Sequence, residues 1–309
     1  MIVYSPYFDD RLDWYPDGLV YIDLYAIYTD LDKDRRSVDH PDWILNDPNG
    51  DRLYIDWGCE GGTCPQWAAD VGNQDFRTDF IGRVADLVAR GYRGVNLLWR
   101  ISDGAGETVE PIDPRTGEVM SLERWREYVV ELLEQIRAEF PDIEIMHNSI
   151  WYADSPQHQD ELVRRQVAAA DWIMLERGAT DSGLTDGSGR YSLSSLFDFV
   201  DMVHELCGNV LFLDETATTL EEQIYNLASY LLVNDGDDLV TTEDYPLIAP
   251  DGLWEGFSLD LGDALGLRYR WEGLWRRDFS DGVVLVNDPG ASEVSGGVEG
   301  DRVSLDGQH

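Results

Sequence analysis

Several apolar, strand-like runs in this chain each lead directly into polar residues that could do chemistry. Gly94–Trp99 runs into Arg100 and, three residues on, Asp103. Ile143–Met146 runs into His147 and Asn148, and Ile173–Leu175 into Glu176. Val210–Leu213 runs into Asp214, and a weaker run ends at Glu243. A carboxylate directly after a buried strand costs free energy unless something pairs or uses it. Gathered at one end of a parallel sheet, Glu176, Asp103 and Asp214 would be carboxylic acids placed for proton transfer. Asn148, His147, Arg100 and Glu243 would hold hydroxyl groups, with Trp99 and Tyr25 as stacking faces. That combination is what breaking a glycosidic bond requires. Each acid also has a plain structural reading. Glu176 could pair with Arg177, and Asp214 could cap the turn that follows it.

Other chemistries lack their residues. The five histidines, His40, His147, His158, His204 and His309, show no paired metal spacing. Asp30, Asp32 and Asp34 resemble the start of a calcium loop, but Arg35 stands where glycine is needed and Pro41 where glutamate is needed; a solvated acidic turn is expected. No G-x-S-x-G elbow, G-x-G-x-x-G fingerprint or P-loop is present. No metal and no cofactor is expected.

The elements that must position these residues alternate. Helices are expected from about Asp75 to Ala89, from the Ser121 cap to Pro141, from Ser155-Pro156 to Ala170, from the Ser192 cap through Val203, and from the Thr219/Glu222 capping box to Val233. The apolar runs between them, with Leu19–Ile27 before them, read as parallel strands. Helix-to-strand connections are short, whereas strand-to-helix loops are long and carry acids, aromatics and amides. One plain face and one elaborated face is the layout of an α/β (β/α)8 barrel, with an open doubly wound sheet as the alternative. The barrel is expected over 1–289 as a single domain, with or without its first strand. The runs Arg268–Trp275 and Val283–Asn287 form a short C-terminal hairpin, and 290–309 is a Gly-rich polar tail or a terminal hairpin. The stretch Tyr28–Gly72 reads as a long functional loop.

Charge narrows the partners. The 309 residues hold 61 Asp+Glu against 23 Lys+Arg, a net −38, and Lys33 is the only lysine. Such a surface repels nucleic acid and anionic membranes, so neither is an expected partner, and the oligomeric state is left open. With 11 Trp, 15 Tyr and 9 Phe the chain is expected to be ordered. Acidic, ordered and lysine-poor together suggest a salt-loving archaeal source. No apolar run approaches the ~20 residues of a membrane span. Residues 1–20 lack a basic start and an apolar core, so the sequence reads as cytoplasmic, or as secreted if a leader precedes it. The three cysteines make no disulfide framework: Cys59 and Cys64 could close a small loop, Cys207 reads as buried in a helix, and free thiols are expected.

The ordered motifs HPDWILNDPNG, DVGNQDFRTDFI, GYRGVNLLW, IMHNS, DWIMLERG and RRDFSDGVVLVNDP, spanning about Leu19 to Pro289, resemble the glycoside hydrolase (β/α)8 families related to endo-α-1,4-polygalactosaminidases. The resemblance implies a barrel with an Asn after one strand, Asn148, and a Glu after the next, Glu176. It also implies the closing pattern Arg277, Phe279, Gly282, Val284, Leu285, Val286 and Asn287. Where such families carry an acid at the end of the DGVFLD strand, this chain has Leu98, and Asp103 is the nearest replacement. The expected activity is hydrolysis of an oligo- or polysaccharide by two carboxylates. A sugar-binding barrel without turnover and a structural or interaction protein are the alternatives.

Overall fold

The computed structural model describes residues 3–4, 12–13, 16–97, 101–102, 109–148, 160–176, 178–181, 184, 189, 192–214, 217–242 and 254–289. By its contacts the chain divides into two units, residues 1–147 with 169–171, and residues 148–168 with 172–309. No helix among the described residues is long and apolar enough to cross a membrane.

In the first unit β1 (Val3–Tyr4), β2 (Leu19–Tyr21), β3 (Ala26–Tyr28), α1 (Arg36–Asp39), β4 (Tyr54–Ile55) and β5 (Gln66–Ala68) precede α2 (Gln74–Ala89) and β6 (Gly94–Leu97). Then come β7 (Ile101–Ser102), α3 (Leu122–Glu139) and β8 (Glu144–Asn148), whose last residue belongs to the second unit. Strands β1, β2, β6 and β8 pair in that order, all parallel, with Tyr21 opposite Asn96 and Asn96 opposite Met146. The Val3–Tyr4 pairing puts a strand ahead of Leu19, so this part of the sheet is present. Gly94 permits the close approach of β6 to β8: a Cβ there would lie 1.7 Å from the Glu144 carbonyl oxygen. The Asn73 side chain accepts from the Asp75 and Phe76 N–H groups, and Ser121 Oγ from Arg124 N–H, which fixes the starts of α2 and α3.

Leu19–Ile27 is not the single strand expected. It breaks into β2 and β3, which lie in different sheets. The cause is Asp23 between them. Its buried carboxylate accepts from Tyr21 Oη at 2.5 Å, Tyr28 Oη at 3.0 Å and Gln66 Nε2 at 3.0 Å. A buried carboxylate needs several donors, and these come from both flanks and from β5. Nor is Tyr28–Gly72 an irregular loop. It supplies β4 and β5 to an antiparallel sheet in the order β3-β5-β4-β7, with β3 at its start and β7 from beyond it. Trp43 is buried, stacked on His40 and edge-on to Phe76, and Trp67 stacks on Tyr54. Cys59 and Cys64 are joined by a disulfide, so the expected free thiols are corrected there. Asp34 is buried and gripped by the Arg36 guanidinium at 2.6 and 2.9 Å; it is not part of a solvated turn.

The second unit contains α4 (Glu161–Ala168), β9 (Trp172–Glu176), α5 (Leu193–Glu205), β10 (Asn209–Asp214), α6 (Leu220–Val233) and β11 (Leu239–Thr242). Strands β9, β10 and β11 are parallel neighbours in that order. Ser192 caps α5, and the Thr219/Glu222 capping box is formed with both of its hydrogen bonds. The proposed Ser155-Pro156 cap lies outside the described residues. Helix α5 ends in a Schellman motif: Cys207 N–H donates to His204 O and Gly208 N–H to Val203 O. Cys207 therefore lies past the helix, exposed, at φ +62°, and not inside an apolar helix.

The C-terminal hairpin has one more strand than expected. Strands β12 (Tyr269–Trp271), β13 (Leu274–Asp278) and β14 (Val283–Val286) form an antiparallel sheet. Glu272 and Gly273, at φ +50° and +93°, make the two-residue turn that splits the run Arg268–Trp275. Arg277, buried, donates to the Leu231 and Asn234 carbonyl oxygens and so satisfies the C-terminal end of α6.

Candidate functional site

The geometry centres on the ends of β8 and β9. Apolar Ile173, Met174 and Leu175 bury β9, and its last residue, Glu176, is half-buried. Asn148, buried at the end of β8, donates from Nδ2 to Glu176 Oε2 at 2.6 Å. This short bond to a carboxylate fixes the orientation of both side chains. Next, Gly178 adopts φ +51° and opens a single 3-10 turn, Gly178–Thr180. The turn is held from α6. Asn226 Oδ1 accepts from Ala179 N–H at 3.3 Å, and Asn226 Nδ2 reaches the Thr241 carbonyl at 3.4 Å. Asn226 is completely buried and thus ties the loop after Glu176 to β11.

The other expected residues are distributed as follows. Leu213 is the register partner of Glu176, so Asp214 stands one step further along β10, opposite Thr242. His147 precedes Asn148 on β8, so the two face opposite sides of the strand. Its ring is buried, and burial pushes its pKa down to about 4, which keeps it neutral. Tyr25 is buried in the first unit, edge-on to Trp125 with ring centroids 5.6 Å apart. Trp99, Arg100, Asp103 and Glu243 lie outside the described residues, as does Leu98. Among the described residues no group of three or more His, Cys, Asp or Glu is placed to hold a metal ion.

Two residues were not singled out from sequence. Asn226 carried a signal, an amide among the apolar residues Ile224, Leu227 and Tyr230 of α6. The other is Asp23, whose carboxyl pKa is raised. Burial is the main cause, offset only in part by the hydroxyls of Tyr21 and Tyr28, the Arg83 charge and the Gln66 amide. An acid interrupting the apolar run Leu19–Ile27 was the visible clue.

A family described as hypothetical glycosyl hydrolase family 15 matches residues 18–283. The chain belongs to this family. No curated protein sequence matches it. Among solved structures, the α-galactosidase TtGalA of Thermus thermophilus, in complex with p-nitrophenyl α-D-galactopyranoside, is similar at a TM-score of 0.51 and 15% identity. That match covers 90% of this chain and 54% of the other, so the chain spans about half the length of that galactosidase. The glycoside hydrolase domain of PelA from Pseudomonas aeruginosa matches at a TM-score of 0.47 and 12% identity, over 80% of this chain and 88% of the other. Ega3 of Aspergillus fumigatus, in complex with galactosamine, matches at 0.43 and 8%, over 78% and 83%. The likeness to the galactosidase shows the fold alone, the (β/α)8 type of glycoside hydrolases that the sequence led one to expect. Together with the family match, this makes the chain a glycosyl hydrolase family member with that fold.

Proposed function

We propose that this family member hydrolyses a glycosidic bond in an oligo- or polysaccharide, with Glu176 as its indispensable acid. The observation that carries the reading is the 2.6 Å bond from Asn148 to Glu176, an oriented carboxyl at a strand end. Strand ends on that side are where barrel enzymes carry their chemistry. Glu176 serves as general acid or as nucleophile. As general acid it gives its proton to the glycosidic oxygen while the bond to the anomeric carbon breaks, and a second carboxylate activates the attacking water. Asp103 is the proposed partner and Asp214 the alternative. Asn148 holds Glu176 in place, and its carbonyl oxygen can accept from a sugar hydroxyl.

A net charge of −38 with a single lysine supports a working environment of molar salt. The second reading, a barrel that binds sugar without turnover, draws on Leu98, which stands where the similar families carry an acid.

The test is release of reducing ends from neutral and amino-sugar polysaccharides in molar KCl, by the wild type and by Asp103→Asn and Asp214→Asn. Hydrolysis that Asp103→Asn abolishes and Asp214→Asn retains supports the assignment. The reverse pattern exchanges the partners, and binding without any release replaces hydrolysis by the second reading.

A further inference from the structure

The sheet β12-β13-β14 has two dissimilar faces. On one, Val284, Val286 and Arg277 are buried toward α6, and Trp275 meets Phe197 edge-on at 5.3 Å. The alternation of the strands puts Tyr269, Trp271, Leu274, Arg276, Asp278, Val283 and Leu285 on the other, where Leu274, opposite Trp271, is buried and the rest are exposed or half-buried. There Tyr269 is opposite Arg276, and Arg276 opposite Leu285. Arg276 donates from Nε at 2.9 Å and Nη2 at 2.6 Å to Asp278 Oδ1, and Tyr269 Oη donates to Asp278 Oδ2 at 2.7 Å. The guanidinium lies 5.1 Å from the ring centre of Trp271 and 6.0 Å from that of Tyr269. A cleft of about 390 Å³ opens beside them, walled by Leu265, Leu267, Tyr269, Arg276, Asp278 and Phe279. Leu267 is 85% exposed and Leu265 68%.

The chemistry of the cleft selects among ligands. Its one cation is paired, so it offers no net positive charge, and the −38 of the chain repels polyanions. A neutral ligand is therefore favoured. Three strands of at most five residues, spaced ~4.8 Å apart, present a face of roughly 250 Å². That is about a third of the ~800 Å² per side of a stable protein interface, so the open groove suits a shallow contact with one face of a ligand rather than a protein partner. A pyranose ring has apolar C–H faces and a rim of hydroxyls. Its face matches an aromatic ring, and adjacent hydroxyls match a fork that offers a guanidinium donor beside carboxylate acceptors.

We propose that this face binds a neutral glycan strand, with Tyr269 as the stacking platform and the Arg276–Asp278 pair as the hydroxyl-reading fork. These residues take no part in the Glu176 site. The inference rests on the reading of the chain as carbohydrate-active and adds a second contact with the polymer.

The experiment is retention on columns of immobilised dextran, galactomannan and hydroxyethyl cellulose in molar KCl, using wild type, Glu176→Gln, Tyr269→Ala, Tyr269→Phe and Arg276→Ala. The expected result is retention of wild type and of Glu176→Gln alike on at least one column. Tyr269→Ala should bind that column roughly tenfold more weakly, as loss of one stacking face implies. Arg276→Ala should fall similarly, whereas Tyr269→Phe, which keeps the ring, should stay close to wild type. Circular dichroism verifies that Tyr269→Ala is folded. Wild type passing all three columns overturns the proposal, as does Tyr269→Ala binding as well as wild type. If Glu176→Gln loses retention while Tyr269→Ala keeps it, the glycan sits at the Glu176 site; this surface proposal then fails and the glycosidase reading stands. A wild-type dimer that Tyr269→Ala converts to monomer would mark the face as a protein interface and overturn the proposal.

Discussion

Asn148 and Glu176 are 28 residues apart in sequence and joined by a 2.6 Å hydrogen bond from amide to carboxylate. Hydrogen bonds to charged groups contribute about 1.5–3 kcal/mol, so Asn148→Ala should cut turnover by roughly 10- to 100-fold. The melting temperature should fall as well, because Asn148 is buried and its amide is lost from the fold, so turnover is compared well below the melting point of the variant. Steady-state kinetics beside a thermal melt checks both. Unchanged turnover would mean that the amide does not orient the acid.

An ion pair in the second unit makes its stability depend on pH. His204 on α5 meets Asp238 at 2.9 Å, and Asp238 also accepts from the Val210 N–H at 2.7 Å. Burial opposes the charged ring, but the hydrogen bond and charge of Asp238, with Asp235 and Asp201, outweigh it and raise the His204 pKa. A raised histidine stabilises fully below its unfolded value of about 6.5 and loses that contribution as pH rises through the folded value. Denaturation midpoints measured from about pH 6 upward should therefore fall with pH for the wild type. They should fall less for His204→Gln. Parallel curves for the two proteins would contradict this.

Cys207 sits at φ +62° in the Schellman motif after α5. Left-handed backbone costs an L-residue about 1–2 kcal/mol and glycine much less. Cys207→Gly should accordingly stabilise the protein by about 1 kcal/mol, visible as a higher denaturation midpoint. A lower midpoint would mean that the cysteine side chain makes a contact worth more than the strain.

The parts of the fold legible in the sequence are local. Ser121, Ser192 and Thr219 with Glu222 announce helix starts because a cap is made within four residues. What escaped depends on distant partners. Asp23 breaks the Leu19–Ile27 run because Gln66, 43 residues away, supplies one of its donors. The Cys59–Cys64 bridge depends on a tight turn that spacing alone left open. At the site, Asn148 and Glu176 were both visible as strand-end polar residues, but their mutual bond was not. Asn226 was missed because its partners, Ala179 and Thr241, come from two other elements.

Salt should govern stability. At −38 the self-repulsion of the fold is long-ranged in dilute buffer, where charges interact over about 10 Å at 0.1 M, and short-ranged in molar salt, at about 3 Å. Thermal melts in molar KCl should give a clearly higher midpoint than melts in dilute buffer. Equal midpoints would remove the argument for a salt-rich habitat.

If Glu176 does the chemistry, the turnover of Glu176→Gln on a glycan that the wild type cleaves shows it without any other variant. Glutamine keeps the size of the side chain and its contact with Asn148 but can neither deliver a proton nor attack as a carboxylate. Hydrolysis should be lost at an almost unchanged melting temperature. A Glu176→Gln protein that cleaves the same glycan at the wild-type rate would contradict it.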